Sequence, residues 1–159
     1  MKWVAEDALH LTLKFLGEVD EARADAIGAA LADAVRPARP FEVALGGFGV
    51  FPDHHRPRVF WLGVEHHPAL ELLANDVERA LGALGFESEL KPFQPHLTIG
   101  RARRDARPSA FADLAPLTAD LDWASVLRVD GVDLMQSTLT PAGPSYRIVQ
   151  HAPLAGGGD

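Results

Sequence analysis

Hydrophobic and polar positions alternate near the start of the chain and then change to a helical period. From Ala8 to Leu16 the apolar side chains alternate with a histidine, a threonine and a lysine, which predicts a β-strand with one polar face. From Asp20 to Val35 apolar residues recur every three or four positions, which predicts an amphipathic helix with Asp20 as its N-cap. The first 35 residues therefore read as a strand followed by a helix.

The two periods recur further along the chain. The segment Phe41 to Phe51 reads as a strand bulged at Gly46-Gly47, because paired glycines weaken regular pairing. A second helix is predicted from Pro68 to Leu84, since proline suits a first turn and Gly85 suits an exit. The other predicted elements are strands at Arg58–Val64, around His96, at Val126–Met135 and at Ser145–Val149, and a short helix near Ser109–Leu114.

This order of elements predicts an α+β fold with mainly antiparallel strand pairing. The phrase His-Leu-Thr-aliphatic occurs at residues 10–13 and again at 96–99, each time at the start of a predicted strand. An approximate internal two-fold is the simplest way to bring the copies together. We therefore expect a two-lobed, pseudo-two-fold domain over residues 1–154, with helices outside and the active site in the groove between lobes. Residues 155–159 are expected to be a flexible tail.

Composition narrows the class of protein. The 159 residues are 47% hydrophobic and include no cysteine, which excludes disulfides and thiolate metal sites. We find neither a signal peptide nor a membrane-spanning run, and so expect a cytoplasmic, monomeric protein without a membrane partner. The net charge of −7 disfavours wide gripping of nucleic acid but allows a local phosphate site. Arginines do cluster after the second phrase, at positions 101, 103, 104 and 107.

The doubled phrase carries the candidate chemistry. A strand turns residues i and i+2 to one face, so each copy presents an imidazole beside a hydroxyl. Two imidazoles can serve as acid and base, and hydroxyls can hold phosphoryl oxygens. The histidine doublets at 54–55 and 66–67 are poor metal sites, because adjacent strand residues point to opposite faces. With no dinucleotide or P-loop motif, we expect no cofactor and no metal.

The chain resembles the two-histidine phosphoesterase superfamily, and within it the bacterial RNA 2′,3′-cyclic phosphodiesterases once called 2′-5′ RNA ligases. The resemblance is carried by HLTLKFLGEV at 10–19, RPRVFWLGV at 56–64 and QPHLTIGRA at 94–102, followed by residues 137–139 and 143–146. Members of this family usually begin with a strand and a helix ahead of the first phrase, and we expect this segment to be absent here. The implied reaction is metal-independent hydrolysis of RNA 2′,3′-cyclic phosphate ends to 2′-phosphates, with weak reverse ligation.

The resemblance also implies roles for individual residues. These are His10 as general acid, His96 as general base, Thr12, Thr98 and Arg101 as phosphate ligands, and Phe15 as a base-stacking ring. Strand alternation instead groups Phe15 with the core leucines, and Arg101 could be a solvated surface charge. The substrate could also be a small cyclic nucleotide or another cyclic phosphate. A non-catalytic module that binds RNA ends or nucleotides is the alternative from a different class.

Overall fold

The computed structural model describes residues 1–141 and 143–156. In these residues the α-helices are α1 (Ala24–Val35), α2 (Pro68–Ala83) and α3 (Leu114–Ala119). Short 3-10 helices lie at Glu6–Ala8, Glu21–Arg23 and Pro108–Phe111. The strands are β1 (Lys2–Trp3), β2 (Phe41–Phe51), β3 (Val59–Val64), β4 (His96–Arg101), β5 (Ala124–Val129), β6 (Gly131–Thr140) and β7 (Gly143–Pro153).

The strands form one five-stranded sheet, in the order β1-β4-β3-β2-β5, and one hairpin sheet of β6 and β7. The β1–β4, β4–β3, β3–β2 and β6–β7 pairs are all antiparallel. This confirms the predicted α+β class with mainly antiparallel pairing. The chain divides into two compact units, the first made of residues 1–12, 43–66 and 94–127 and the second of the remaining segments. The internal two-fold, the groove and the single-domain boundary at 154 stay predictions.

The two long helices form where the sequence predicts them. The Asp20 carboxylate accepts a hydrogen bond from the Ala22 amide at 3.0 Å, so Asp20 caps the helical segment as expected. Helix α2 begins at Pro68 and leaves through Gly85, which has a φ of 88°. Both helices bury their apolar stripes in the core of the second unit. The buried members of that core are Ile27, Leu31, Val35, Leu73, Val77, Leu81, Ala152 and Leu154.

The predicted strand from Ala8 to Leu16 is wrong as a regular element. The chain turns through the 3-10 helix at Glu6–Ala8, and its one ladder contact in this stretch is an isolated bridge between Leu11 and Leu97. If the register of the Leu11–Leu97 bridge continued, Ala8 would need Gly100 as its partner, and β1 already pairs with Gly100. Beyond Thr12 the same register would run past His96, where β4 begins, so among the described residues the segment has no strand to pair with on either side of the bridge.

Burial after Leu11 also departs from strict alternation. The Lys14 side chain is only 6% exposed, whereas Phe15 is 80% exposed. Alternation predicted the reverse, with Lys14 beside the histidine and Phe15 among the leucines. Without a ladder beyond Leu11, these side chains follow tertiary partners instead of a two-residue period. Core packing is therefore not the role of Phe15.

The C-terminal third differs in detail from the prediction. A turn at Asp130 separates β5 from β6, so the strand predicted over residues 126–135 is two strands. The short helix predicted near Ser109 is a 3-10 turn followed by α3. In the predicted tail, the Ala155 and Gly156 amides donate hydrogen bonds to the carbonyls of Arg36 and Ala38. Residues 157–159 lie outside the described residues.

Candidate active site

The second His-Leu-Thr phrase forms the first half of β4, and the register of β4 against β3 fixes its two faces. His96 lies opposite Gly63 and Thr98 lies opposite Trp61, whereas Leu97 lies opposite Leu62. Directly opposed residues share a face of an antiparallel pair. Leu97 and Leu62 are each 7% exposed, so the alternate face, which carries His96 and Thr98, is the open one.

A bulge in β4 returns Arg101 to this open face. The register steps from Trp61 opposite Thr98 to Phe60 opposite Gly100, which leaves Ile99 as the extra residue. Arg101 then lies opposite Val59, and Val59 is two residues from Trp61 on the same face of β3. Strict alternation would have turned Arg101 to the other face, with Leu97. The bulge thus re-aims one cation toward the side that carries the motif residues.

The first phrase meets β4 through a single bridge, between Leu11 and Leu97. Within the residues that the structure describes, no ladder continues from this bridge to His10 or Thr12, so strand register does not fix where these two side chains lie. That they share the face of His96 and Thr98 stays a prediction. All four motif residues belong to the first unit of the fold.

Both imidazoles are held by the same local hydrogen bond. His10 Nδ1 lies 2.8 Å from the carbonyl oxygen of Ala8, and His96 Nδ1 lies 2.7 Å from the carbonyl oxygen of Gln94. A carbonyl only accepts, so each Nδ1 carries the hydrogen and donates it. When neutral, each ring therefore presents the lone pair of Nε2. The two copies thus offer the same nitrogen for proton transfer.

Two aromatic rings lie against His96, and sequence reasoning missed both. The Phe51 ring is edge-on to the imidazole with a centroid distance of 5.2 Å, and the Trp61 ring is at 6.3 Å. Trp61 fits because Gly49 leaves its opposed position empty, where a Cβ would overlap the indole. The apolar sequence around Trp61 favours a place in the core for this side chain. The available signal was glycine at positions 49 and 63 in two strands that also carry aromatic residues, which indicates room for a large ring between them.

The indole nitrogen of Trp61 is an unsatisfied group at this face. Trp61 Nε1 is buried from solvent and has no hydrogen-bond partner among the residues that the structure describes. A buried donor left unpaired costs about 1–3 kcal/mol. Buried polar groups without a partner are rare in native proteins, so this donor is an unusual feature of the face that carries His96.

Beyond Thr12 the chain is anchored in the second unit by Lys14. Its ammonium donates to both Glu78 oxygens at 2.8 Å and to the Glu87 carbonyl at 2.7 Å, and the Glu89 amide donates to Glu78 at 3.0 Å. The Lys14 hydrogen bond holds the pKa of the Glu78 carboxyl below its usual value. Glu78 thus joins the segment after the first phrase to the loop before the second.

The other histidines lie elsewhere. His67 Nδ1 accepts from the Ala69 amide and its ring stacks on Phe41 at 5.1 Å, so His67 caps α2. His151 pairs with Asp133 at 2.6 Å across β6 and β7. Within residues 1–141 and 143–156, no three His, Cys, Asp or Glu side chains are grouped to hold a metal ion. In the same residues no helix has the length and apolar character to cross a bilayer.

Comparison with known proteins shows which family this chain belongs to. The family model described as the 2′-5′ RNA ligase superfamily matches residues 2–140. A Thermotoga maritima protein named RNA 2′,3′-cyclic phosphodiesterase is 40% identical over 156 residues, which cover 98% of this chain and 80% of the relative. An Aeropyrum pernix protein of the same name is 38% identical over 159 residues, with coverage of 99% and 89%.

Solved structures extend the likeness to the fold. A crystal structure of a Thermus thermophilus protein matches with a TM-score of 0.76 and 29% identity, over 99% of this chain and 84% of the other. The structure of E. coli LigT complexed with 3′-AMP matches with a TM-score of 0.71 and 27% identity, over 96% and 80%. Sequence and fold therefore point to the same group of proteins.

Proposed function

Because the chain belongs to the 2′-5′ RNA ligase superfamily, we propose that it is an RNA 2′,3′-cyclic phosphodiesterase that converts cyclic ends to 2′-phosphates. Its relatives at 38–40% identity carry that activity in their names. The observation that carries the proposal is the matched pair of imidazoles, each with Nδ1 tied to a backbone carbonyl. Acid–base catalysis by two such rings needs no metal ion.

The proposed reaction transfers two protons around one phosphorus. His96 Nε2 takes a proton from water, and the water oxygen forms a bond to phosphorus. The bond from phosphorus to the 3′ oxygen breaks, and His10 Nε2 gives that oxygen its proton. The products are a 2′-phosphate and a 3′-hydroxyl. The histidines must start in opposite protonation states, so activity should fall on both sides of an optimum pH.

The neighbouring residues would stabilise and orient the phosphate. Thr12 and Thr98 would donate hydroxyl hydrogen bonds to non-bridging oxygens, where negative charge grows in the transition state. Arg101 would add a charge-assisted contact, which the bulge at Ile99 supports. The exposed ring of Phe15 would stack on a base of any identity.

The proposal also covers the reverse reaction, the smallest substrate, the oligomeric state and the location of the protein. Reversal of the reaction on two RNA ends would give weak 2′-5′ ligation, which excess water opposes. A small cyclic nucleotide could serve as a minimal substrate, because the reacting group is the same. A monomeric state and a cytoplasmic location complete the proposal.

The test uses a short RNA ending in a 2′,3′-cyclic phosphate, incubated in EDTA with the wild type, His10→Ala or His96→Ala. We expect conversion to 2′-phosphate by the wild type and a loss of about 10²–10⁴ in kcat in each variant. Resolving the 2′- from the 3′-phosphate product identifies which bond breaks. His54→Ala is the matched control, since His54 is an exposed loop residue. Full activity in either motif variant, or 3′-phosphate as product, would contradict the proposal.

A further inference from the structure

The arginines of the first unit are concentrated in two short stretches. The structure describes every residue of this unit, and its six arginines all fall within residues 56–58 and 101–107. Arg101 has a proposed role at the reacting phosphate. We call the remaining five the arginine end: Arg56, Arg58, Arg103, Arg104 and Arg107. All five side chains are exposed. Such concentration is unexpected in a chain with a net charge of −7.

Hydrogen bonds bring the two stretches together. The Ala102 amide donates to the Arg58 carbonyl at 3.0 Å, and the Arg58 amide donates to the Phe51 carbonyl at 2.7 Å. Arg101 lies opposite Val59, the first residue of β3. The stretches therefore meet at one end of the sheet, where β2 and β4 finish and β3 starts.

Backbone contacts order both stretches without using the guanidinium groups. The Asp53 carboxylate accepts from the amides of His55 and Arg56, at 2.8 and 3.0 Å. These bonds, chiefly the one from Arg56, hold the pKa of the Asp53 carboxyl below its usual value, so it stays ionised. The Ala106 amide donates to the Arg103 carbonyl at 3.1 Å. This region therefore contains the five arginines of the arginine end and two aspartates, Asp53 and Asp105, so its net charge is positive.

The arginine end lies next to the end of β4, the strand that begins at His96 and finishes at Arg101. At about 3.3 Å per residue, the path from His96 to Arg101 is about 16 Å. A stacked nucleic-acid strand advances about 3.4 Å per nucleotide, so this path matches roughly five stacked nucleotides, or fewer extended ones. Because the bulge turns Arg101 to the face of His96, the cations continue from that face toward the strand end.

We propose that the arginine end binds the backbone phosphates of the nucleotides that precede the cyclic end, and so makes the protein prefer oligonucleotides to cyclic mononucleotides. This inference rests on the proposed function and adds a substrate length to it. Exposed guanidinium groups bind backbone phosphates whatever the base sequence, which suits RNA ends of arbitrary sequence. An RNA of five or six nucleotides reaches the arginine end, whereas 2′,3′-cyclic AMP does not.

The variant Arg103→Glu/Arg104→Glu tests this with two readouts. Fluorescence anisotropy measures binding of a labelled six-nucleotide RNA that ends in a 2′-phosphate, across a range of salt concentrations. Kinetics compare kcat/KM for the six-nucleotide cyclic-phosphate RNA with kcat/KM for 2′,3′-cyclic AMP. The control is Arg36→Glu/Arg39→Glu, which makes the same change in net charge on exposed residues of the second unit.

We expect the test variant to bind the six-nucleotide RNA about tenfold more weakly, with a shallower salt dependence by about 0.7 per lost phosphate contact. Its kcat/KM should fall similarly for the RNA and stay unchanged for 2′,3′-cyclic AMP. Equal losses on both substrates, no loss, or the same loss in the control would overturn the inference. If the wild type turns over neither substrate, the proposed function fails, and the anisotropy comparison still decides whether the arginine end binds RNA.

Discussion

The two His-Leu-Thr phrases have the same sequence but different structural support. The second lies in a regular strand, β4, and its residues 96–98 pair with β3. The first has one bridge, at Leu11, and is followed by an anchored lysine. Yet both histidines donate Nδ1–H to the carbonyl two residues earlier. The orientation of each imidazole is therefore a local property, and the ladder decides only what the imidazole faces.

The largest expected effect tests whether the two copies work equally. Thr12→Val and Thr98→Val each remove one hydroxyl donor and keep the side-chain shape. We expect each to lower kcat on cyclic-phosphate RNA by about 10²–10³, because lost donors cost most where charge grows. Thr→Ser at either position should keep most of the activity. A change confined to KM would contradict a role for the hydroxyls in the transition state, and a large loss in only one copy would show that the copies are unequal.

The next effect concerns the anchor of the first copy. Lys14→Met leaves the Glu78 carboxylate, 28% exposed, without its bidentate partner. We expect a loss of about 2 kcal/mol in the free energy of unfolding, measured with urea. Arg79→Met is the matched control on the same helix, since Arg79 pairs with Asp76 but is 76% exposed. Its loss should be below about 0.5 kcal/mol. Similar losses in both variants would mean that the Lys14–Glu78 pair stabilises the fold no more than an exposed ion pair does.

The same ion pair predicts a dependence of stability on pH. The pKa of Glu78 is lowered in the folded state, so its contribution is complete above the ordinary pKa of a glutamate, 4.5, and is lost as pH falls through the folded value. Lys14→Met should lose less stability than the wild type over that acidic range. Parallel curves for the two proteins would assign the acid sensitivity to other carboxylates.

A second effect on stability, of similar size, tests the support of the second copy. Gly63 lies opposite His96, and a Cβ there would be 2.5 Å from the Gly46 carbonyl oxygen. Because backbone cannot give way as a side chain can, Gly63→Ala should cost about 1–3 kcal/mol of unfolding free energy. Gly82→Ala, in open space within α2, should instead stabilise by about 0.5–1 kcal/mol. Stabilisation by both would mean that the bulged β2 readily moves.

The smallest expected change in stability is that of Phe15→Ala. A side chain that is 80% exposed contributes little to folding, so the unfolding free energy should change by less than about 0.5 kcal/mol. If the ring stacks on a base, KM for cyclic-phosphate RNA should nonetheless rise about fivefold or more. An unchanged KM would show that the Phe15 ring does not stack on a base of the substrate.

Features with local causes could be predicted from the sequence. The Asp20 cap and the exit at Gly85 depend on residues within a turn of each other. The bulge at Gly46-Gly47 is confirmed by the register shift between Leu45 and Phe48. The second His-x-Thr phrase likewise marks two residues that the register of β4 against β3 brings to one face.

Features that depend on distant partners could not be predicted. Lys14 is buried because Glu78 accepts its hydrogen bonds from 64 residues away. The first phrase is irregular because β1 pairs with Gly100 on one side of its bridge and β4 begins at His96 on the other. The bulge at Ile99, which decides the side on which Arg101 lies, depends on pairing with β3. In each case the local sequence is compatible with two conformations, and contacts with residues distant in sequence select one of them.

The bond from each imidazole to the carbonyl two residues earlier makes Ala8–Thr12 and Gln94–Thr98 portable units. Each five-residue segment contains the bond that sets the ring tautomer and needs from its host a strand to pair with, as Leu11 pairs with Leu97 and residues 96–98 pair with β3. Protein designers who seek paired acid–base groups could graft two such segments onto adjacent strands of an unrelated scaffold. The difficult task of orienting a catalytic histidine would then be solved within the inserted peptide.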